Sequence, residues 1–373
     1  MVETTEIDER DSPSTRAHAF NPNVHGARGL FSLGILVFHV ANSGLPTFPL
    51  LAAGPLHFFL AAGEHCVELF FAISGFVIVG ALQRARGPLQ FLKGRAIRIF
   101  PVLWVSIIVL FIYDLAIRYF SLLPQYLLHD AILLSSNALA LPGVFHLELI
   151  HPAAWSLSYE MCFYALCAVL WLQERYTGVR WAYTAIPAGL LLVIFYPRAG
   201  AIPIGALIAF NYGLPNMSDS KAFRRLARFP IIFLLIFLAC WHGIQIMSGR
   251  PLANTTLVEW ASDGRGILGI IGAVSLLIGM AAVVDGNSLI LCPILRARAF
   301  QWLGTVSYSL YLWHPIVLGL VKRALKSAHI FNLAGEASQM VFLVVGAGLS
   351  FGIAHISQEY LEARAGRWLT HRR

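Results

Sequence analysis

The chain has 373 residues, of which 58% are hydrophobic and only 12% charged. That balance excludes a soluble globule with a charged surface and places the protein among polytopic membrane proteins. Its 27 Lys and Arg against 19 Asp and Glu give a net charge of +8, but the basic residues sit between apolar runs, a pattern that sets membrane orientation and implies no nucleic-acid partner.

In chain order, residues 1–26 form a polar segment carrying Glu3, Glu6, Asp8, Glu9 and Asp11. It is long, acidic and without a small-residue cleavage site, so it reads as a cytoplasmic segment and not as a signal peptide. Residues 27–358 follow as a membrane domain. Apolar runs set against the roughly 20-residue spanning length give about ten helices. They lie near 27–45, 64–82, 97–117, 154–172, 181–197, 200–213, 229–247, 266–284, 301–320 and 339–358. Stretches 52–63 and 126–143 are too short or too interrupted to span and are expected at the interface or re-entrant. Residues 359–373 complete the chain as a basic cytoplasmic tail. The expected fold is an all-α polytopic transmembrane helix bundle with no internal repeat and no second domain.

Orientation follows from Lys and Arg. One set of loops holds Arg84, Arg86, Lys93, Arg95 and Arg98, then Lys221, Arg224, Arg225 and Arg228, then Arg296 and Arg298, and the tail adds Arg364, Arg367, Arg372 and Arg373. These loops are expected in the cytoplasm, with both termini. Segments 46–63 and 119–152 lack Lys and Arg altogether and fit the outer face. Lys322, Arg323 and Lys326 disagree, since they fall on the predicted outer side.

Five cysteines, Cys66, Cys162, Cys167, Cys240 and Cys292, show no CxxC and no paired spacing. Neither a disulfide framework nor a metal site is expected, and each reads as a small packing residue. The polar residues inside apolar runs say more. His39 lies in "GARGLFSLGILVFHVANSG", eleven residues beyond Arg28, which at about 1.5 Å per residue sets the imidazole near the membrane midplane. An ionisable group there is expensive unless it faces the bundle interior or a wet cavity; bonding to a neighbouring helix is the other reading. Glu68 in "EHCVELFFAISGF" and Glu160 in "AAWSLSYEMCFYAL" occupy comparable surroundings. His39, Glu68 and Glu160 are expected to converge on one cavity in the outer half of the bundle, where a His with a carboxylate partner can remove a proton from a hydroxyl. Bonding of each Glu to a backbone amide or a Ser on another helix stays open. In "FLKGRAIRIFPVLW", Arg95 and Arg98 are three apart and share one helix face. Forked donors suit a phosphate-bearing ligand, although orientation alone also places arginines at such a helix end.

Five short motifs taken together resemble one family. "RGLFSLGILVFH" (28–39), "VELFFAISGFVI" (67–78), "RAIRIFPVLW" (95–104), "WSLSYEMCFY" (155–164) and "LGTVSYSLYLWHPIV" (303–317) stand in the order found in the acyltransferase 3 family of integral membrane O-acyltransferases. The resemblance covers residues 28–317. Glu68 stands where the family often has Asp, and the closing "SQEYLEARAGRW" matches the usual ending only loosely. The resemblance implies transfer of an acyl group, usually acetyl, from cytosolic acyl-CoA (acetyl-CoA) to a hydroxyl of a glycan or glycosylated metabolite at the bacterial inner membrane. It implies that His39 is the catalytic histidine, that Arg95 and Arg98 form the basic pair near the acyl donor, and that Glu160 is the acidic member of its motif. Glu68 competes with Glu160 for the supporting role.

A multi-pass transporter or flippase for a glycan or lipid-linked substrate would also bury His and Glu, but such proteins commonly show two related halves, and none are visible here. A glycosyltransferase would want clustered acids in an outer loop, whereas segment 119–152 offers only Asp130 and Glu148. A scaffold would leave polar groups in three apolar spans without a use.

Overall fold

A computed structural model describes residues 20–117, 124–145, 147–178, 196–211, 220–249 and 265–364, with positions 189, 193, 194 and 367. Among these the fold is helical. No strand forms, and an isolated bridge joins Pro142 to Phe145.

The first helix, α1 (Pro22–Ala41), starts five residues before the expected boundary. Asn21 accepts hydrogen bonds from the backbone N–H groups of Asn23 and Val24, and Pro22 fills a position whose N–H would have no partner. The chain then enters α2 (Gly54–Ala62), which passes through one tight turn into α3 (Cys66–Arg84). The stretch 52–63 is thus mostly the upper part of a 31-residue helix, Gly54–Arg84. A long helix, α4 (Pro88–Ile117), carries Pro101 in its interior.

The stretch 126–143 folds largely as α5 (Pro124–Ala138), 15 residues tied to α4 by the Trp104 indole N–H on the Ala138 carbonyl. Beyond it, Asn137 clamps the connection to the next helix: its amide nitrogen donates to the Glu148 carbonyl and its oxygen accepts from the Ile150 N–H. Then come α6 (Ala154–Thr177), the short α7 (Ala201–Asn211), α8 (Pro230–Ser248), α9 (Arg265–Asp285), α10 (Arg298–Ser327) and α11 (Ser338–Ser357). The helix expected over 181–197 lies almost wholly outside the described residues, as do residues 1–19 and most of the basic tail. Where the tail is described, it extends α11 as a π turn, Gln358–Ala363, that brings Glu362 to the Ser309 hydroxyl.

Seven described helices are long and apolar enough to cross a membrane: Pro22–Ala41, Gly54–Arg84, Pro88–Ala116, Ala154–Thr177, Pro230–Ser248, Arg265–Asp285 and Ile330–Ala363. The span expected over 301–320 forms as the 30-residue α10, which is long enough but too polar to be counted with them, and α7 has only 11 residues. Exposed Ile108 and Ile112 of α4, Ile267 and Ile270 of α9 and Val344 of α11 give the bundle an apolar outside, as lipid contact requires.

Helix α1 lies along α10, α3 along α7, α8 along α9, and α10 along α11. The α3/α7 contact is backbone against backbone. A Cβ on Gly75 would stand 1.9 Å from the Ile202 carbonyl oxygen, and one on Gly205 1.8 Å from that of Ala72. Small residues at such a seam gain dispersion contacts that lipid cannot replace. One buried cluster joins Phe71, Leu103, Ile107, Ile202, Phe237 and Leu276, and a second joins Leu36, Leu310, Val317 and Phe342.

The basic loops collect at one end of the bundle, where the Arg296 guanidinium donates to the Asn23 side chain at the start of α1. Lys322 and Arg323 sit at the opposite end, as their position in the sequence required. The Lys322 ammonium donates to the Ser43 carbonyl, and Arg323 lies 5.2 Å over the Tyr113 ring.

Candidate active site

Two cavities lie one beyond the other inside the bundle. The first, about 70 Å³, opens among Arg28 of α1, Ser74 of α3, Arg95 and Arg98 of α4, Glu160 and Tyr164 of α6, and Tyr308 of α10. Arg95 and Arg98 stand one helical turn apart, as their spacing required, and Arg28 joins them from another helix. Among the described residues none of these three guanidinium groups holds a hydrogen bond or an ion pair, and the buried Nε of Arg95 has no acceptor. Glu160 is fixed beside them: the Ser74 hydroxyl donates to Oε1 at 2.5 Å and the Tyr164 hydroxyl to Oε2 at 2.9 Å. Three unpaired cations facing one space form a site for an anion, and forked guanidinium donors match phosphate oxygens best.

The second cavity, about 260 Å³, holds His39 of α1, with Glu64, Trp155, Arg198 and His314 around it. His39 is exposed to this space, and its ring centroid lies 5.1 Å from that of His314. The Arg198 guanidinium stacks 4.3 Å over the Trp155 ring and reaches Glu64 at 3.6 Å. Glu64 also accepts from the Gln245 amide at 3.0 Å. Val67 and Tyr311 line both cavities and form their common wall. The Tyr311 hydroxyl is held there by Ser156 at 2.7 Å and by the Ala153 carbonyl at 3.2 Å.

His39, Glu68 and Glu160 therefore do not meet in one cavity. Glu160 belongs with the arginines, on the other side of the Val67–Tyr311 wall from His39. Glu68 lines neither space; it is fully buried, ion-paired with Arg198 and 3.7 Å from His65. The expected arrangement rested on depth counted along each helix, and that count shifts, since α1 runs Pro22–Ala41 and carries His39 in its last turn and not at its middle; azimuth around the helix then decides which cavity a side chain enters. The carboxylate that shares the His39 cavity is Glu64, one turn before Glu68.

Several site residues went unassigned in the sequence. Arg28 and His314 were inside the quoted motifs, and His314 could have been found by the depth argument applied to His39. Trp155 opened the motif at 155–164 and Glu64 the stretch quoted for Glu68, but neither was singled out, and Arg198 gave the faint signal of a lone cation between two apolar runs. No group of three or more His, Cys, Asp or Glu among the described residues is placed to hold a metal ion.

A sequence model of the acyltransferase 3 family, described as an acyltransferase domain, matches residues 21–356. The exopolysaccharide production protein ExoZ of Rhizobium meliloti (strain 1021) is 26% identical over 338 residues, covering 86% of this chain and 91% of that protein. No solved structure matches the chain. The matched region takes in both cavities, and the chain belongs to the acyltransferase 3 family: it is a multi-pass membrane acyltransferase.

Proposed function

We propose that the protein moves an acyl group, acetyl in the first instance, from acyl-coenzyme A to a hydroxyl of an exopolysaccharide or its precursor at the bacterial inner membrane. The observation that carries this reading is the pair of cavities meeting at Val67 and Tyr311, with three unpaired arginines in one and His39 in the other. Arg28 and His39 are eleven residues apart on α1, about 16 Å along its axis, a separation that the pantetheine arm of coenzyme A can bridge. The donor's phosphates would lie against Arg28, Arg95 and Arg98 at the basic, cytoplasmic end. The thioester would then reach the wall between the cavities, and the acceptor would enter from the other side.

In this reading His39 is the general base. It takes the hydroxyl proton as the acceptor oxygen attacks the thioester carbonyl; the carbon–sulfur bond then breaks, and the thiolate takes the proton from the imidazolium. Ester and free thiol result with no net proton. The size of the ExoZ match and that protein's printed role support a polysaccharide acceptor. Removing a general base costs on the order of a hundredfold or more in rate. His39→Ala, produced in a strain lacking the gene, is expected to leave surface polysaccharide without the acyl mass seen with the wild-type chain. Wild-type acyl content from a normally expressed variant would refute the assignment.

A further inference from the structure

A general-base histidine is ordinarily held in one tautomer by a carboxylate on its second nitrogen. Each carboxylate near His39 is committed elsewhere. Glu64 gives one oxygen to Arg198 and the other to Gln245, Glu68 is sealed against Arg198, and Glu160 lies in the other cavity between Ser74 and Tyr164. The group beside His39 is another imidazole.

His314 is 1% exposed. Its Nδ1 lies 2.9 Å from the Leu310 carbonyl oxygen. A carbonyl only accepts, so Nδ1 carries the proton and Nε2 presents a lone pair. That Nε2 is buried and has no hydrogen-bond partner, on a residue that lines the His39 cavity. A buried acceptor left without a donor is costly and calls for an explanation. With ring centroids 5.1 Å apart, the edges of the two imidazoles can approach hydrogen-bond distance after a small rotation of His39, whose ring faces open space.

We propose that His314 is the positioning residue of His39: its Nε2 accepts the N–H of His39, which leaves the second nitrogen of His39 as a lone pair directed at the acceptor hydroxyl. This rests on the reading of His39 as general base. During transfer His39 takes the acceptor's proton on that second nitrogen, becomes imidazolium, and returns the proton to the departing thiolate. His314 keeps its own proton on the Leu310 carbonyl throughout and steadies the positive charge as a hydrogen-bond acceptor. A neutral acceptor fixes the tautomer of His39 as a carboxylate would, with less stabilisation of the imidazolium.

The test uses membrane vesicles from a polysaccharide-producing host deleted for the gene and supplied with the full chain, with labelled acetyl-CoA as donor. His314→Leu is expected to lower the maximal transfer rate per molecule at least tenfold, with the KM for acetyl-CoA within twofold of wild type. His314→Gln places an amide oxygen near the position of Nε2 and is expected to recover most of that rate. Equal losses in the Leu and Gln variants, a wild-type rate in His314→Leu, or a change confined to KM would overturn the pairing. If His314→Leu fails to insert, the Gln variant decides: a rate as low as that of His39→Ala refutes the acceptor role. His39→Ala, run alongside, separates the two readings. An unchanged rate there overturns the base assignment itself, whereas a loss there with wild-type transfer by His314→Leu overturns only the pairing.

Discussion

Replacing Arg95 and Arg98 together by Lys keeps two positive charges at the basic end and so leaves the signal for membrane orientation intact. It removes the forked donors. In the structure these guanidinium groups and Arg28 face one cavity with no hydrogen bond or ion pair among the described residues, so no existing contact has to break before a ligand binds. A hydrogen bond to a charged group contributes about 1.5–3 kcal/mol, and a bidentate contact that becomes a point-charge contact loses about one such bond. Loss of a single fork then weakens donor binding by roughly 10-fold to 150-fold, and loss of both by more, given about 1.4 kcal/mol per factor of ten. The assay is calorimetry of acetyl-CoA with the purified double variant, repeated with S-acetylpantetheine, which carries the same thioester and no phosphate. Wild type and variant are expected to differ with acetyl-CoA and to agree with the phosphate-free donor. Unchanged acetyl-CoA affinity, or an equal loss with both donors, would refute phosphate recognition by this pair.

Glu160→Gln puts an amide donor against one of the Ser74 and Tyr164 hydroxyls, which now donate to separate oxygens of the carboxylate; turnover is expected to fall about tenfold with insertion unchanged, read as transfer at saturating donor. Glu68→Gln removes the closer of the two carboxylates that face the buried Arg198, leaving Glu64 at 3.6 Å, and because breaking one partner of a buried ion pair costs about 3–5 kcal/mol, the expected result is loss of folded protein on detergent gel filtration ahead of any effect on catalysis; a stable, slow enzyme would contradict this. His151, in the connection before α6, donates from Nε2 to the Leu312 carbonyl and accepts the Ala153 N–H at Nδ1. Burial pushes its pKa down from the usual 6.5 to about 4. A depressed histidine pKa stabilises the fold above the unfolded value, and that contribution is lost as pH falls from 6.5 towards 4. Melting temperature is therefore expected to drop across this window, and His151→Gln is expected to flatten the drop; an equal slope in the variant would exclude His151 as its source.

Much of this protein was legible in its sequence because the membrane is a severe filter. A run such as 229–247 has to be a helix, since lipid leaves its backbone no other partner, and it forms as Pro230–Ser248. Arg95 and Arg98 were assigned to one face by their spacing alone, and they share one cavity. The depth of His39 did not follow from counting: reckoned from Arg28 it fell near the midplane, whereas the helix runs Pro22–Ala41 and carries His39 in its last turn. Nor could counting supply rotation about each helix axis or the choice of neighbours. Glu64 and Glu68 are a single turn apart, yet one opens on the His39 cavity and the other is sealed against Arg198, a residue 130 positions away in the chain. Arg28 was visible but unassigned, because nothing local shows that α1 will turn it toward α4. The stretch 52–63 appeared interfacial because its apolar run ends in Gly63, Glu64 and His65, a polar break that the tertiary structure spans with a tight turn and covers with α8. Spacing and composition fix what a residue can do and which residues of its own helix share its face. Only packing, through close approaches such as Gly75 on Ile202 and Gly205 on Ala72, sets the rotations that bring residues from distant spans into the same small space.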